Sequence, residues 1–284
     1  MTQKIAIVIL HGAGTPKENF AKEMISKISE GFGKKLKKEN PEEKLVFQSV
    51  FWSSIFENEE KKLWERVQKG GDLDYNFLRR FAVEFLADAV AYQPASVADH
   101  NYDKVHALLA QCLSSLQAKA GSYAPLCVIS HSLGSVVASN YFYDLQVKQE
   151  NIGPNTKRYT GHTPLEKGET LSLFYSMGSP LALWSLRFNY FGAPISVPSP
   201  SIQKYHPAID GEWLNFYDKD DILAFPLKRL NHHYQNAVTK DIEVNVGGLL
   251  TNWNPFSHIK YDTDNSVIDP IVDGLVRTWL NVND

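Results

Sequence analysis

Apolar positions along this chain follow two rhythms, short unbroken runs and longer stretches with apolar residues three and four apart. Residues 4–10 form an unbroken run that ends at His11, the pattern of a central parallel strand buried on both faces. Runs at 45–51, 126–130, 171–176 and 213–217 read as further strands, and 241–246 alternates apolar and polar as a half-exposed strand does. Between them, Phe20, Met24, Ile25, Ile28, Phe32 and Leu36 recur at helical spacing, predicting an amphipathic helix over 17–37. Segments 57–68 and 76–91 are helical candidates separated by Gly70 and Gly71. Tyr102 to Leu116 and 133–147 give two more helices. A last helix is expected from Asp269 as cap, with Pro270 at its first position.

Strands that alternate with helices predict an α/β fold, a mainly parallel central sheet with helices on both faces. The reading is one domain over 1–284, with insertions near 54–95, 148–170 and 184–212. Residues 148–170 are polar, contain Gly153, Pro154, Gly161 and Pro164, and read as a surface loop. Residues 184–212 are rich in aromatics and prolines, among them Phe188, Tyr190 and Phe191. Such a long excursion between core strands is uncommon as an idle connection. It is expected to form a lid over a substrate site, with those three aromatics in contact with substrate. The competing reading is an interface between copies of the chain in a homo-oligomer.

Chemistry concentrates where the 126–130 run ends. Ser130-His131-Ser132-Leu133-Gly134 places a serine between a buried-type strand and a helical pattern. That is the layout of a nucleophile elbow, where a sharp turn lifts the serine Oγ clear of the backbone and needs small residues two before and two after. Here they are Ser130 and Gly134, so serine stands where glycine is usual. A serine hydroxyl attacks only when an imidazole takes its proton, and the imidazole needs a carboxylate to hold its tautomer. In chain order, Asp218, Asp220 and Asp221 follow the 213–217 strand, and Asp221 is favoured because Ile222 to Pro226 follow it directly. His258 lies between the last strand and last helix. It is preferred to His232 and His233, which precede that strand. The glycines of His11-Gly12-Ala13-Gly14 allow close approach to a substrate. The N–H of Ala13, with Gly12 as substitute, and the N–H of Leu133 are the expected oxyanion donors. A dinucleotide fingerprint fails, because Lys17 stands where its third glycine should be.

His11-Gly12, Asp88 to Tyr92, Ser130 to Gly134, Gly178-Ser179-Pro180, Asp221 to Phe225 and Ser257-His258 together resemble the α/β-hydrolase superfamily, in particular its intracellular lipase- and esterase-like serine hydrolases. The resemblance implies hydrolysis of small or lipid-like esters through an acyl-enzyme on Ser132, with no metal and no organic cofactor. Thioester or amide cleavage would use the same triad. A catalytically idle binding or scaffold protein on the same fold is the reading from another class.

Composition narrows the partners. The chain has 284 residues, 29 basic against 32 acidic, for a net charge of −3, so no charge steers it toward nucleic acid. Lys34, Lys35, Lys37 and Lys38 end a helical pattern, where cations meet the helix's negative pole. Two cysteines, Cys112 and Cys127, sit in apolar patterns and suit a reducing compartment. No run is long enough for a membrane helix and the first residues do not read as a signal peptide. A cytoplasmic protein is the expectation.

Overall fold

The computed structural model describes residues 2–14, 16–37, 40–69, 76–94, 100–246 and 260–283. Among the described residues six strands form one sheet: β1 (Ile5–Leu10), β2 (Leu45–Val50), β3 (Leu126–His131), β4 (Leu171–Met177), β5 (Glu212–Asp218) and β6 (Lys240–Val244). Their order is β2-β1-β3-β4-β5-β6, and every pairing is parallel. The expected mainly parallel sheet is therefore parallel throughout the described residues.

The helices are α1 (Lys22–Lys35), α2 (Glu57–Lys69), α3 (Asn76–Ala91), α4 (Asn101–Ala120), α5 (Leu133–Gln146), α6 (Pro154–Tyr159), α7 (Leu181–Ser185), α8 (His232–Ala237) and α9 (Asn265–Asn283). All six residues of β1 are buried, and their alternation divides the core in two. Ala6, Val8 and Leu10 pack with α4 and α5, while Ile5, Ile7 and Ile9 pack with α1 and α9. Covering both faces is what turns β1 into an unbroken apolar run rather than an alternating one.

Two sequence readings need correction. The last helix begins at Asn265, not after Asp269, and Pro270 lies inside it. Asp264 supplies the cap instead, its Oδ1 accepting from Ser266 N at 2.8 Å and its carbonyl from Val267 N at 3.0 Å. A proline within a helix removes one donor and crowds the carbonyl four residues back, which is why Asp-Pro reads as a helix start, here one turn too late. Residues 148–170 are not simply a surface loop. They contain α6, which is anchored because Asp103 of α4 accepts from Thr156 N and Asn155 N, both at 2.9 Å.

The chain leaves β1 for β2 on one side and then crosses to β3 on the other. Such a reversal opens a crevice at the carboxyl ends of the two strands it separates, where α/β sheets bind ligands. Register brings those ends level: Leu10 of β1 lies opposite Ser130 of β3, and His131 opposite Met177 of β4.

Candidate active site

Ser132 occupies that crevice. It follows β3 and caps α5 with φ 49° and ψ −128°, a backbone conformation that residues with a Cβ avoid. Its neighbours hold it there. Ser132 N donates to Met177 O at 2.8 Å, and Ser132 O accepts from Ser135 N at 2.9 Å and Ser135 Oγ at 2.6 Å. Ser135 Oγ is itself 2.6 Å from Ser179 Oγ, so the Gly178-Ser179-Pro180 turn after β4 braces the serine turn. Ser130 fills the place of the usual glycine without disturbance, because its buried Oγ donates to Tyr175 O at 3.1 Å.

The two glycines of the turn are demanded by contacts. A Cβ on Gly134 would lie 2.2 Å from His11 O, so α5 starts in backbone contact with the end of β1. A Cβ on Gly12 would lie 2.8 Å from Ser132 Cβ and 3.4 Å from Ser132 Oγ. The loop after β1 therefore lies directly against the serine. The first N–H groups of α5, Leu133 among them, have no intrahelical acceptor and carry the positive end of the helix dipole.

His11 orients this loop and stays neutral. Burial pushes its pKa down to about 3, against the hydrogen bond with Gly12 O that raises it. Nδ1 lies 2.6 Å from Gly12 O and therefore carries the proton, which leaves Nε2 to accept from Ser53 N at 3.5 Å. The ring stacks on Trp52, centroids 4.9 Å apart, and Trp52 Nε1 donates to His11 O at 2.9 Å. Further along the loop, Gly14 N donates to Asp88 Oδ2 of α3 at 2.8 Å. Phe85 of the same helix meets Trp184 edge-on at 6.4 Å. Helix α3 thus touches both the glycine loop and α7, a bridge that sequence spacing did not disclose.

The acidic loop after β5 separates its candidates. Asp218 Oδ1 accepts from Asp220 N at 2.9 Å and Oδ2 from Val246 N at 2.8 Å, so this carboxylate ties its own loop to the chain beyond β6. Asp221 is buried, its Oδ1 accepting from Leu223 N at 3.0 Å and its Oδ2 from the Tyr261 hydroxyl at 2.9 Å. The Tyr261 hydroxyl in turn accepts from Asp218 N at 2.8 Å. Burial, then the Asp221 charge, drive the Tyr261 pKa upward, so the phenol remains a donor. Tyr261 carried no sequence signal, since a lone tyrosine before a helix reads as core. His258 and Ser257 lie outside the described residues.

Phe188, Tyr190 and Phe191 sit on an exposed 3₁₀ turn after α7, Tyr190 being 92% exposed. Asn231 Nδ2 donates to Tyr190 O at 2.6 Å and to Gly192 O at 2.7 Å, and the Arg187 guanidinium lies 5.5 Å from the Phe188 ring. Among the described residues no hydrogen bond or ring contact links these three aromatics to Ser132 or Gly12. Both thiols are free and pushed up by burial, Cys112 to about 11. No group of three His, Cys, Asp or Glu side chains stands ready for a metal among the described residues. No described helix is long and apolar enough to cross a membrane.

A parallel sheet reversed between β1 and β3, with a serine on a constrained strand-to-helix turn at that reversal, is an α/β-hydrolase fold. No protein-family model and no curated protein matches the chain. Among solved structures it is similar to a fungal esterase from Rhizomucor miehei at 9% identity and TM-score 0.45, covering 98% of this chain and 76% of that one. It is also similar to the esterase domain of a Rhodothermus marinus protein at 12% identity and TM-score 0.36, covering 96% and 86%.

Proposed function

We propose that this chain is a serine hydrolase that cleaves carboxylic esters through an acyl-enzyme on Ser132. The observation that carries the reading is the Ser132 turn itself: a non-glycine residue held at φ 49° with Gly12 packed against its Oγ. Strain of this kind costs about 1–3 kcal/mol and clusters at functional sites. In this reading His258 takes the Ser132 proton, Ser132 Oγ attacks the ester carbonyl, and the tetrahedral oxyanion is met by the N–H groups of Ala13 and Leu133. Collapse expels the alcohol with the proton from His258. Water then repeats the sequence to release the acid and restore the serine. Asp221 holds His258 in this reading, because Ile222 to Pro226 follow it directly, whereas both Asp218 oxygens accept backbone N–H groups that tie its own loop. No step requires a metal or an organic cofactor. Two free thiols, a partly buried Cys112 and a buried Cys127, favour a reducing, cytoplasmic setting.

A fluorophosphonate probe tests the reading directly. The wild-type chain should label once and lose ester turnover. Ser132→Ala should neither label nor hydrolyse, with a loss on the order of 10⁶ in kcat by analogy with triad dissection elsewhere. A wild-type chain that neither labels nor cleaves any ester, thioester or amide of a chain-length series would establish the idle scaffold instead.

A further inference from the structure

The turn after α7 displays its apolar residues to water. Five of them stand exposed within nine residues, Leu183, Leu186, Phe188, Tyr190 and Phe191, with Leu186 at 68% and Tyr190 at 92%. Its backbone is also held where such residues resist going. Tyr190 and Phe191 follow one another at φ 52° and 63°, the left-handed region that side chains with a Cβ rarely adopt. Asn231 fixes them there through its bonds to Tyr190 O and Gly192 O. A clustered apolar surface of this kind marks an interaction site.

Charge indicates what that surface meets. The forty residues between Glu169 and Asp210, and the nineteen of 222–240, hold no acidic side chain, in a chain that has 32 among 284. Asn231 joins these two segments at the turn, bringing Lys228 and Arg229 to the side of Arg187, which lies against the Phe188 ring. None of these three cations forms an ion pair among the described residues. Lys34 and Lys35, by contrast, are paired with Glu30 and Asp273. Two neighbouring carboxylates are withdrawn. Asp144, which feels the Arg187 charge, is buried and accepts from Tyr102 and Asn151, while Asp241 accepts from Leu227 N and Lys228 N.

We infer that this turn docks the protein on an anionic lipid surface. Leu186, Phe188 and Tyr190 enter the headgroup boundary, and Arg187, Lys228 and Arg229 meet the lipid phosphates and carboxylates. Apolar and aromatic side chains beside a basic rim are what hold a peripheral protein on such a surface. A second copy of the chain, packed turn to turn, would set these cations against their own kind. A nucleic acid would leave the aliphatic Leu183 and Leu186 unused. The inference goes beyond ester cleavage and does not rest on it, because its test is binding.

Flotation of the full chain with lipid vesicles is the experiment, run on wild type and on Ser132→Ala. The vesicles are phosphatidylcholine alone or with one-third phosphatidylserine, in about 0.1 M and about 1 M salt. Each cation near an anionic surface is worth about fivefold, so phosphatidylserine should tighten binding on the order of a hundredfold, and the higher salt should remove most of that gain. Arg187→Gln with Arg229→Gln should lose about thirtyfold on phosphatidylserine vesicles at the lower salt only. Leu186→Ser with Tyr190→Ser should lose about tenfold at either salt, as expected when apolar contact is removed. All four positions are exposed, and unchanged melting curves confirm the fold of both double variants. Equal binding to the two kinds of vesicle, or wild-type binding by either double variant, overturns the inference. A protein that floats with neither vesicle overturns it too. A mass in solution that falls with Leu186→Ser and Tyr190→Ser would then make the turn an interface between copies, and RNA binding lost with the two arginines would make it a nucleic-acid site.

Discussion

At Ser132 a single backbone angle joins folding to chemistry. Its φ of 49° is open to glycine and resisted by any residue with a Cβ. Ser132→Gly should therefore be more stable than Ser132→Ala by about 1 kcal/mol, although both lack the hydroxyl. Urea unfolding of the two variants checks this, and equal stability would mean the turn carries no strain. The acid is tested the same way. Asp221→Asn should lower kcat by about 10⁴ through the wrong imidazole tautomer. Asp218→Asn should act mainly on stability, because that carboxylate ties Asp220 N and Val246 N. Tyr261→Phe keeps the ring but removes the donor to Asp221 Oδ2 at 2.9 Å. Hydrogen bonds to charged groups are worth about 1.5–3 kcal/mol, so kcat should fall ten- to hundredfold with KM little changed. Its acid limb should also move to higher pH, because the ionised carboxylate has lost a donor. A variant with the wild-type pH profile would reduce Tyr261 to packing.

Among the elements, the strands were the legible part, because burial on two faces writes itself as an apolar run and β1 is buried at every position. Gly12, Ser132 and Gly134 were legible for a related reason: close backbone approach leaves only small residues at fixed spacing. Asp264 was not, since Asp269-Pro270 offers the same start signal one turn later. Nor was the role of α3, whose contacts with Gly14 and Trp184 are made far along the chain, at sequence separations that no local pattern encodes. Asp88→Ala should leave the Gly14 N–H without that acceptor and loosen the loop that carries Ala13. If the loop supplies an oxyanion donor, kcat should drop by one to two orders of magnitude, short of the 10²–10³ seen when a donor is removed outright, with KM nearly constant. For the turn after α7, replacing Phe188, Tyr190 and Phe191 by alanine should flatten the chain-length dependence of kcat/KM while sparing a short acetyl ester. An unchanged preference together with a changed mass in solution would make that turn an interface between copies.

For the molecule as a whole, two fully buried histidines lead the response to acid, and burial shifts the half-buried His206 in the same direction. His11 stacks on Trp52 beneath the glycine loop, and His106 of α4 sits among Tyr92, Tyr102 and Asp144, its Nε2 2.7 Å from the Tyr92 hydroxyl. Burial pushes both down to about 3 from an ordinary 6.5. At 3.7 Å the His106–Asp144 pair is therefore not an ion pair at neutral pH. Tyr92, driven upward by burial, keeps its proton, so its hydroxyl can donate to Nε2 of a neutral His106. In the unfolded chain both imidazoles protonate as pH falls through about 6.5, while in the folded chain they do not until about pH 3. The unfolded state then binds more protons, so stability falls with falling pH across that window. Each histidine contributes about 1.4 kcal/mol per pH unit once its unfolded form is fully protonated, and the two together about 2.7. Asp144 opposes this only lower down, because burial raises its pKa and the folded state then takes up its proton first. Unfolding free energies from urea titrations at pH 7.5, 6.5, 5.5 and 5.0 should therefore be flat above neutrality and fall progressively below it. His106→Gln, whose amide oxygen can still accept from Tyr92, should lose about half of that slope while remaining folded at pH 7.5. A slope that is unchanged in this variant would mean that His106 is already charged in the folded protein, and with it that the Tyr92–His106 bond runs the other way.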